Sequence, residues 1–261
     1  MAAPIGYRVT DGTAVITFER PERKNAFTLE MIDGCADLVR QAAADDEVRV
    51  VVITGSGDSF CAGVDLGVLS DLDGAPLARK LVLTERVHAL SRAFAALDRP
   101  LIAAINGVAV GAGLDIALMC DLRFAARSAR MAEGYISVGL VPGDGGCYLL
   151  PRLVGPSRAL ELLLTGRFVD ADEALSIGLV NRVYGGAELT EATLAFAGAL
   201  AALSPIPLRI IKRSVYQAAD TDLGTHLDAM SSHQAVVQST ADYAEVHAAL
   251  RERRRPVFIG R

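Results

Sequence analysis

"LIAAINGVAVGAGLDIALM", Leu101 to Met119, is the stretch on which the fold turns. Its length comes close to the roughly 20 apolar residues that cross a bilayer as one helix. Asn106 and Asp115 interrupt it, however, and Gly107, Gly111 and Gly113 cluster in its middle. Polar and glycine interruptions of that density argue against a span. The stretch therefore reads as a buried strand, a tight loop and a buried helix that begins near Gly111-Ala112. A strand feeding a helix in this way belongs to an α/β protein.

The flanking sequence keeps the same alternation. "YRVTDGTAVITFER" (7–20) holds two β-rich runs around Asp11-Gly12 and predicts a hairpin. "FTLEMIDGCADLVRQAAADD" (27–46) predicts a helix opening at Thr28, with Leu29, Ile32, Leu38 and Val39 at helical spacing. "VRVVVITG" (48–55) is a β-branched run, as a strand buried on both faces requires. A helix over about 81–97 leads to a strand in "RPLIAAING" (99–107). Further strands are expected in "DLRFAA" (121–126) and, after a helix near 171–177, in "LVNRVY" (179–184). Strands separated by helices imply right-handed crossovers and a largely parallel sheet. From Leu189 the strands stop and the chain turns alanine-rich and helical, broken at Pro205 and Pro207. The expected organisation is an α/β core over 1–188 carrying a helical region over 189–261. "SDLDGAPLA" (70–78) is the candidate mobile loop beside a site.

Composition narrows the function. The 261 residues are 51% apolar and 22% charged, which suits a soluble enzyme. A net charge of −5 favours neither nucleic acid nor an anionic membrane, so an anionic ligand needs a local basic patch. Cys35, Cys61, Cys120 and Cys147 form no C-x-x-C pair and read as free thiols in a reducing cytoplasm. His226, His233 and His247 show no metal spacing. Phosphate-loop, dinucleotide and G-x-S-x-G signatures are missing.

Two loops carry the chemistry. "ITGSGDSFCAGVDL" (53–66) and "INGVAVGAGLDIALMCD" (105–121) each place small residues where a strand runs towards a helix. Helix starts carry unsatisfied N–H donors and a positive dipole end. Two such donors aimed at one point bind a carbonyl oxygen and, more strongly, its enolate. The alternative is that the glycines only permit tight turns and close helix–sheet packing.

In order and spacing these loops, with "RPERKNAF" (20–27), "VGLVPGDGG" (138–146), "LLPRLVG" (149–155) and "ALSIGLVNRV" (174–183), resemble the crotonase superfamily, the enoyl-CoA hydratase/isomerase family. The resemblance covers nearly the whole chain. It implies a crotonase-type α/β spiral of ββα units, with a C-terminal helical region that builds homotrimers, often stacked into hexamers. It implies an acyl-CoA thioester as substrate, fatty acid metabolism as context, and no cofactor beyond the coenzyme A of the substrate. Matched to the family's motifs, Ala62 and Ala112 are the oxyanion-hole donors. Lys24 and Ala26 fall on the coenzyme A-contacting stretch, with Lys212 and Arg213 as more distant sources of positive charge. Val64, Asp65 and Leu66 line the pantetheine path, and Gly111 and Pro142 fall within the substrate-binding motifs.

The family's first catalytic glutamate matches Asp115. Its second matches Tyr135, a poor base at neutral pH but able to shape the pocket or donate a hydrogen bond. Asp144 in the "PGDGG" turn is the expected partner of Asp115, with Glu133 and His88 as alternatives. The resemblance thus implies hydration of a 2-enoyl-CoA, with double-bond isomerisation or acyl-CoA binding without catalysis as the other readings.

Overall fold

The computed structural model describes residues 4–65, 67–68 and 75–261. The first hairpin joins β1 (Ile5–Thr10) to β2 (Thr13–Phe18). Asp11 and Gly12 both take positive φ, 47° and 75°, the twist that a two-residue turn needs. The next strands are β3 (Val50–Gly55), β4 (Ser59–Cys61), β5 (Leu101–Ile105) and β6 (Val108–Val110). They are followed by β7 (Leu122–Ala126), β8 (Arg130–Ala132), β9 (Val169–Asp170) and β10 (Arg182–Tyr184). A six-stranded sheet runs β1-β2-β3-β5-β7-β10, parallel from β2 onward, and a second sheet runs β4-β6-β8-β9. After the β1–β2 hairpin, the pairs β3–β4, β5–β6 and β7–β8 each send the first strand to the large sheet and the second to the small one, and helical segments follow each pair. That is the ββα spiral.

The long apolar runs became the strands of the large sheet. All five residues of β5 are buried, as its two-sided apolar sequence demands. The two- and three-residue strands of the small sheet escaped the sequence, because so short a segment shows no period-two alternation. The membrane-like stretch splits into β5, β6 and the helix Ala112–Met119. Among the described residues no single helix is long and apolar enough to cross a membrane.

Thr28 caps the helix Leu29–Ala44 by accepting from Met31 N, a device that contributes about 1 kcal/mol. That helix buries Met31, Ile32, Cys35, Ala36, Val39 and Ala42. The helix expected over 81–97 starts earlier and is broken: Pro76–Val82, one π turn over Leu83–Val87, then His88–Ala96. Residues 70–74 of the expected mobile loop lie outside the described residues. The helix Leu189–Ala201 buries Leu189, Ala197 and Ala201 against Val50, Val52, Ile102 and Phe124 of the large sheet. Beyond it come Pro205–Gln217, Leu223–Gln238 and Ala241–Glu252, on which Leu223, Leu227, Val236 and Leu250 are exposed.

Candidate active site

Two asparagines fix the first loop. Asn25 is fully buried and left-handed; its Nδ2 donates to Ser56 O and Ser59 O, and its Oδ1 accepts from Arg20 N. Asn106 Nδ2 also donates to Ser59 O, and its Oδ1 accepts from Gly55 N. The carbonyl of Ser59, at the start of β4, is therefore held from both sides. Asn25 was not singled out from the sequence; its signal was the lone Asn in "RKNAF", a residue type that tolerates positive φ.

After β4 the chain corrects one expectation. Ala62 N–H donates to Lys24 O at 2.9 Å and is not free to bind an oxyanion. Gly63 then takes φ +98°, and on either side of Val64 the chain pairs with Phe27: Phe27 N to Gly63 O, Asp65 N to Phe27 O. Among the described residues Val64 N–H has no partner, which leaves a free donor two residues beyond the expected one. Nothing in "FCAGVDL" marks that shift, because it depends on which peptide the glycine turns outward.

Ala112 opens the helix Ala112–Met119, where the N–H groups of the first turn lack intrahelical acceptors. Gly111, at φ +53°, closes the preceding turn. The two loops touch through Gly113, where an added Cβ would lie 2.1 Å from the carbonyl oxygen of Cys61. Close packing at Gly113 thus brings the start of the Ala112–Met119 helix against the loop after β4.

Three carboxyls and a phenol gather opposite. Asp115, one turn into the helix, is fully buried. Tyr135 Oη donates to Asp115 Oδ2 at 2.6 Å and lies 3.2 Å from Asp144 Oδ2. Tyr135 is therefore a bridge between two acids, more than a wall of the substrate pocket. Its phenol is held far above its ordinary pKa, by burial first and then by the charges of Asp115 and Asp144. It donates and does not act as a base. Burial pushes Asp115 up to about 7, offset in part by the Tyr135 hydrogen bond. Asp144, half-buried, is also raised, by burial first, while Tyr135 and the charge of His88 pull it down.

Glu133 closes β8 with 1% exposure and is pushed up to about 9, by burial first and then by the charge of Asp115. His88 Nε2 lies 2.9 Å from Gly143 O, and Ser91 Oγ donates to Asp144 O, so both brace the Pro142–Gly146 turn. His88 is therefore occupied with the backbone of that turn, in place of the base role considered for it.

The expected basic patch is largely self-neutralised. Lys24 Nζ pairs with Asp58 at 2.6 Å on the surface, and Lys212 Nζ is held between Asp121 Oδ2 and Arg99 O, each at 2.8 Å. Asp65 does not present a free carboxylate either: Oδ2 pairs with Arg20 at 3.0 Å, and Oδ1 accepts from Gly67 N. Arg20 in turn donates to Ala26 O, so Asp65 and Ala26 belong to one brace. Leu66 lies outside the described residues.

Known proteins resemble this chain in sequence and in fold. The sequence model of the enoyl-CoA hydratase/isomerase family matches residues 8–261. A 1,2-epoxyphenylacetyl-CoA isomerase of Escherichia coli is 36% identical over 254 residues, 97% of each chain. A crotonyl-CoA hydratase of Syntrophomonas wolfei is 34% identical over 249 residues, 95% of each chain. The crystal structure of an enoyl-CoA hydratase from Bacillus anthracis superposes with a TM-score of 0.93 at 32% identity, covering 99% of this chain and 100% of that one.

Proposed function

This chain belongs to the enoyl-CoA hydratase/isomerase family, and on that premise we propose that it adds water to the double bond of a 2-enoyl-CoA thioester. The thioester oxygen sits between Val64 N–H and Ala112 N–H. Asp144 takes a proton from water as the water oxygen bonds to Cβ. The double-bond electrons move towards the thioester oxygen, and the enolate then takes a proton at Cα from the acid form of Asp115. A carboxyl raised to about 7 is suited to that task, since an acid–base group works best with a pKa near the operating pH. The observation that carries the reading is the Tyr135 hydroxyl, which ties Asp115 and Asp144 into one site.

The reading calls on no cofactor besides the coenzyme A of the substrate and on no nucleic acid or membrane partner. It places the chain in the cytoplasm, where the buried thiols Cys35, Cys61 and Cys120 stay reduced. Exposed Leu223, Leu227 and Leu250 would pack against other copies in a trimer or a dimer of trimers.

Asp115→Asn and Asp144→Asn should each lower turnover of crotonyl-CoA at least about tenfold, within the range that acid–base catalysis supplies, with acyl-CoA affinity nearly intact. Unchanged turnover in either variant removes that residue from the mechanism. Tight acyl-CoA binding with no turnover across a broad enoyl-CoA panel returns the chain to a binding role. Double-bond isomerisation is the second reading, favoured by a family whose description covers enoyl-CoA isomerases as well as hydratases. A 3-enoyl-CoA substrate separates the two: an isomerase yields 2-enoyl-CoA from it, whereas a hydratase leaves it unchanged.

A further inference from the structure

Glu133 has no task in the hydration chemistry, yet it lies buried beside Asp115. Neither of its carboxyl oxygens has a donor, and Asp115 Oδ1 has none either. The two side chains share the space over Gly146: a Cβ added there would fall 2.6 Å from Asp115 Oδ1 and 3.0 Å from Glu133 Oε2. The missing side chain of Gly146 is what leaves room for both. The titratable groups around them are Tyr135 and Asp144, with His88 behind the Gly143 carbonyl and the Cys61 thiol from β4 near Asp144. Among the described residues, no ion pair of a lysine or arginine with either carboxyl is found.

Two carboxylates buried together without a cation cannot both ionise, and one keeps its proton. Only then does the contact become a hydrogen bond. We propose that Glu133 is a resident neutral acid, a positioning residue that donates its proton to Asp115 Oδ1 while Tyr135 donates to Oδ2. Asp115 is then gripped at both oxygens, and each oxygen keeps a lone pair for the proton that moves to and from substrate. Glu133 is the member that retains the proton because neither of its oxygens has a donor to stabilise a charge, whereas ionised Asp115 accepts from Tyr135. Above about pH 9 Glu133 ionises, and the grip on Asp115 becomes repulsion. The kinetic consequence rests on the hydration reading; the protonation of Glu133 does not.

Infrared spectra of the substrate-free protein at about pH 8, far above the ordinary range of a glutamate, test the protonation directly. A carboxylic-acid C=O band is expected, shifted by carboxyl-¹³C glutamate and not by carboxyl-¹³C aspartate, and lost in Glu133→Gln. A spectrum without the band, or one whose band follows labelled aspartate, overturns the proposal; the labelling needs no variant to fold.

The second readout is the pH profile of crotonyl-CoA turnover. Loss of the acid form of Asp115 gives wild type and variant a first alkaline limb near pH 7. Wild type should show a second, steeper loss above about pH 9 as Glu133 ionises, and Glu133→Gln, whose amide still donates and cannot ionise, should lack it. A second limb that persists in Glu133→Gln overturns the grip. Absence of wild-type turnover refutes the hydration reading instead, and the infrared result still decides the state of Glu133.

Discussion

Around Ser59, two asparagine amides converge on one carbonyl, and the loop from Cys61 to Asp65 is fastened to Phe27 and Lys24 by backbone bonds. Around Asp115, three buried carboxyl oxygens have no donor at all. The first region is over-determined: almost every polar group has a partner, and Val64 N–H is left over. The second is short of protons. A site that must hold a thioester oxygen still and move protons beside it needs both kinds of region, one rigid and one whose hydrogen-bond pattern changes with protonation. Buried unsatisfied groups are rare in folded proteins, and three of them on two adjacent carboxyls support the proposed site.

The largest effect is expected where the rigid region is broken. In Gly113→Ala the new Cβ falls 2.1 Å from a backbone oxygen, which cannot rotate away, so the loops must part and an oxyanion donor is displaced. Turnover should fall at least roughly a hundredfold, the scale of losing one such donor. Kinetics alongside a thermal melt measure this, and a variant with wild-type turnover would show that the contact does not set the geometry.

Asn25→Ala comes next. It removes three hydrogen bonds from a fully buried residue and leaves their partners unpaired, at about 1 kcal/mol each, or about 3 kcal/mol in all. Chemical denaturation should report that loss. A loss below about 1 kcal/mol would mean water replaces the amide and the loop is less tightly held than its bonds suggest.

The smallest effect sharpens the other side. Asp115 and Glu133 have folded pKa values above their ordinary ones, so between about pH 4 and about pH 9 the folded state binds more protons than the unfolded chain. Stability from this cluster is therefore full at the acid end and lost as pH rises through the folded values, opposite to salt-bridged carboxylates. Melting temperature should decline across that window, and Glu133→Gln should flatten the decline. A slope identical in wild type and variant would mean that Glu133 is ionised or solvated.

Legibility in the sequence divides along the same line. β3 and β5 were readable because a strand buried on both faces must be apolar throughout, and Asp115 because a charge in an apolar helix needs a reason. The family's motifs located Ala112, Tyr135 and Asp144. Neither periodicity nor motif distinguished Ala62 from Val64 as donor, since the choice rests on one glycine dihedral and on a bond from Ala62 to a residue 38 positions earlier. The partners of Lys24, Asp65 and Lys212 were equally hidden, because an ion pair is a property of the folded surface. Glu133 looked like one alternative acid among several until Gly146 showed where it lies.

The central claim is that Val64 and Ala112 hold a thioester oxygen while Asp115 and Asp144 face its acyl carbons. A crystal structure with a bound, unreactive acyl-CoA measures this most directly. The account expects the thioester oxygen within hydrogen-bond distance of both N–H groups, with Ala62 N–H still on Lys24 O and both carboxyls beside Cα and Cβ. An oxygen bound to Ala62, or an acyl chain that passes the Tyr135 bridge without approaching either aspartate, would contradict it.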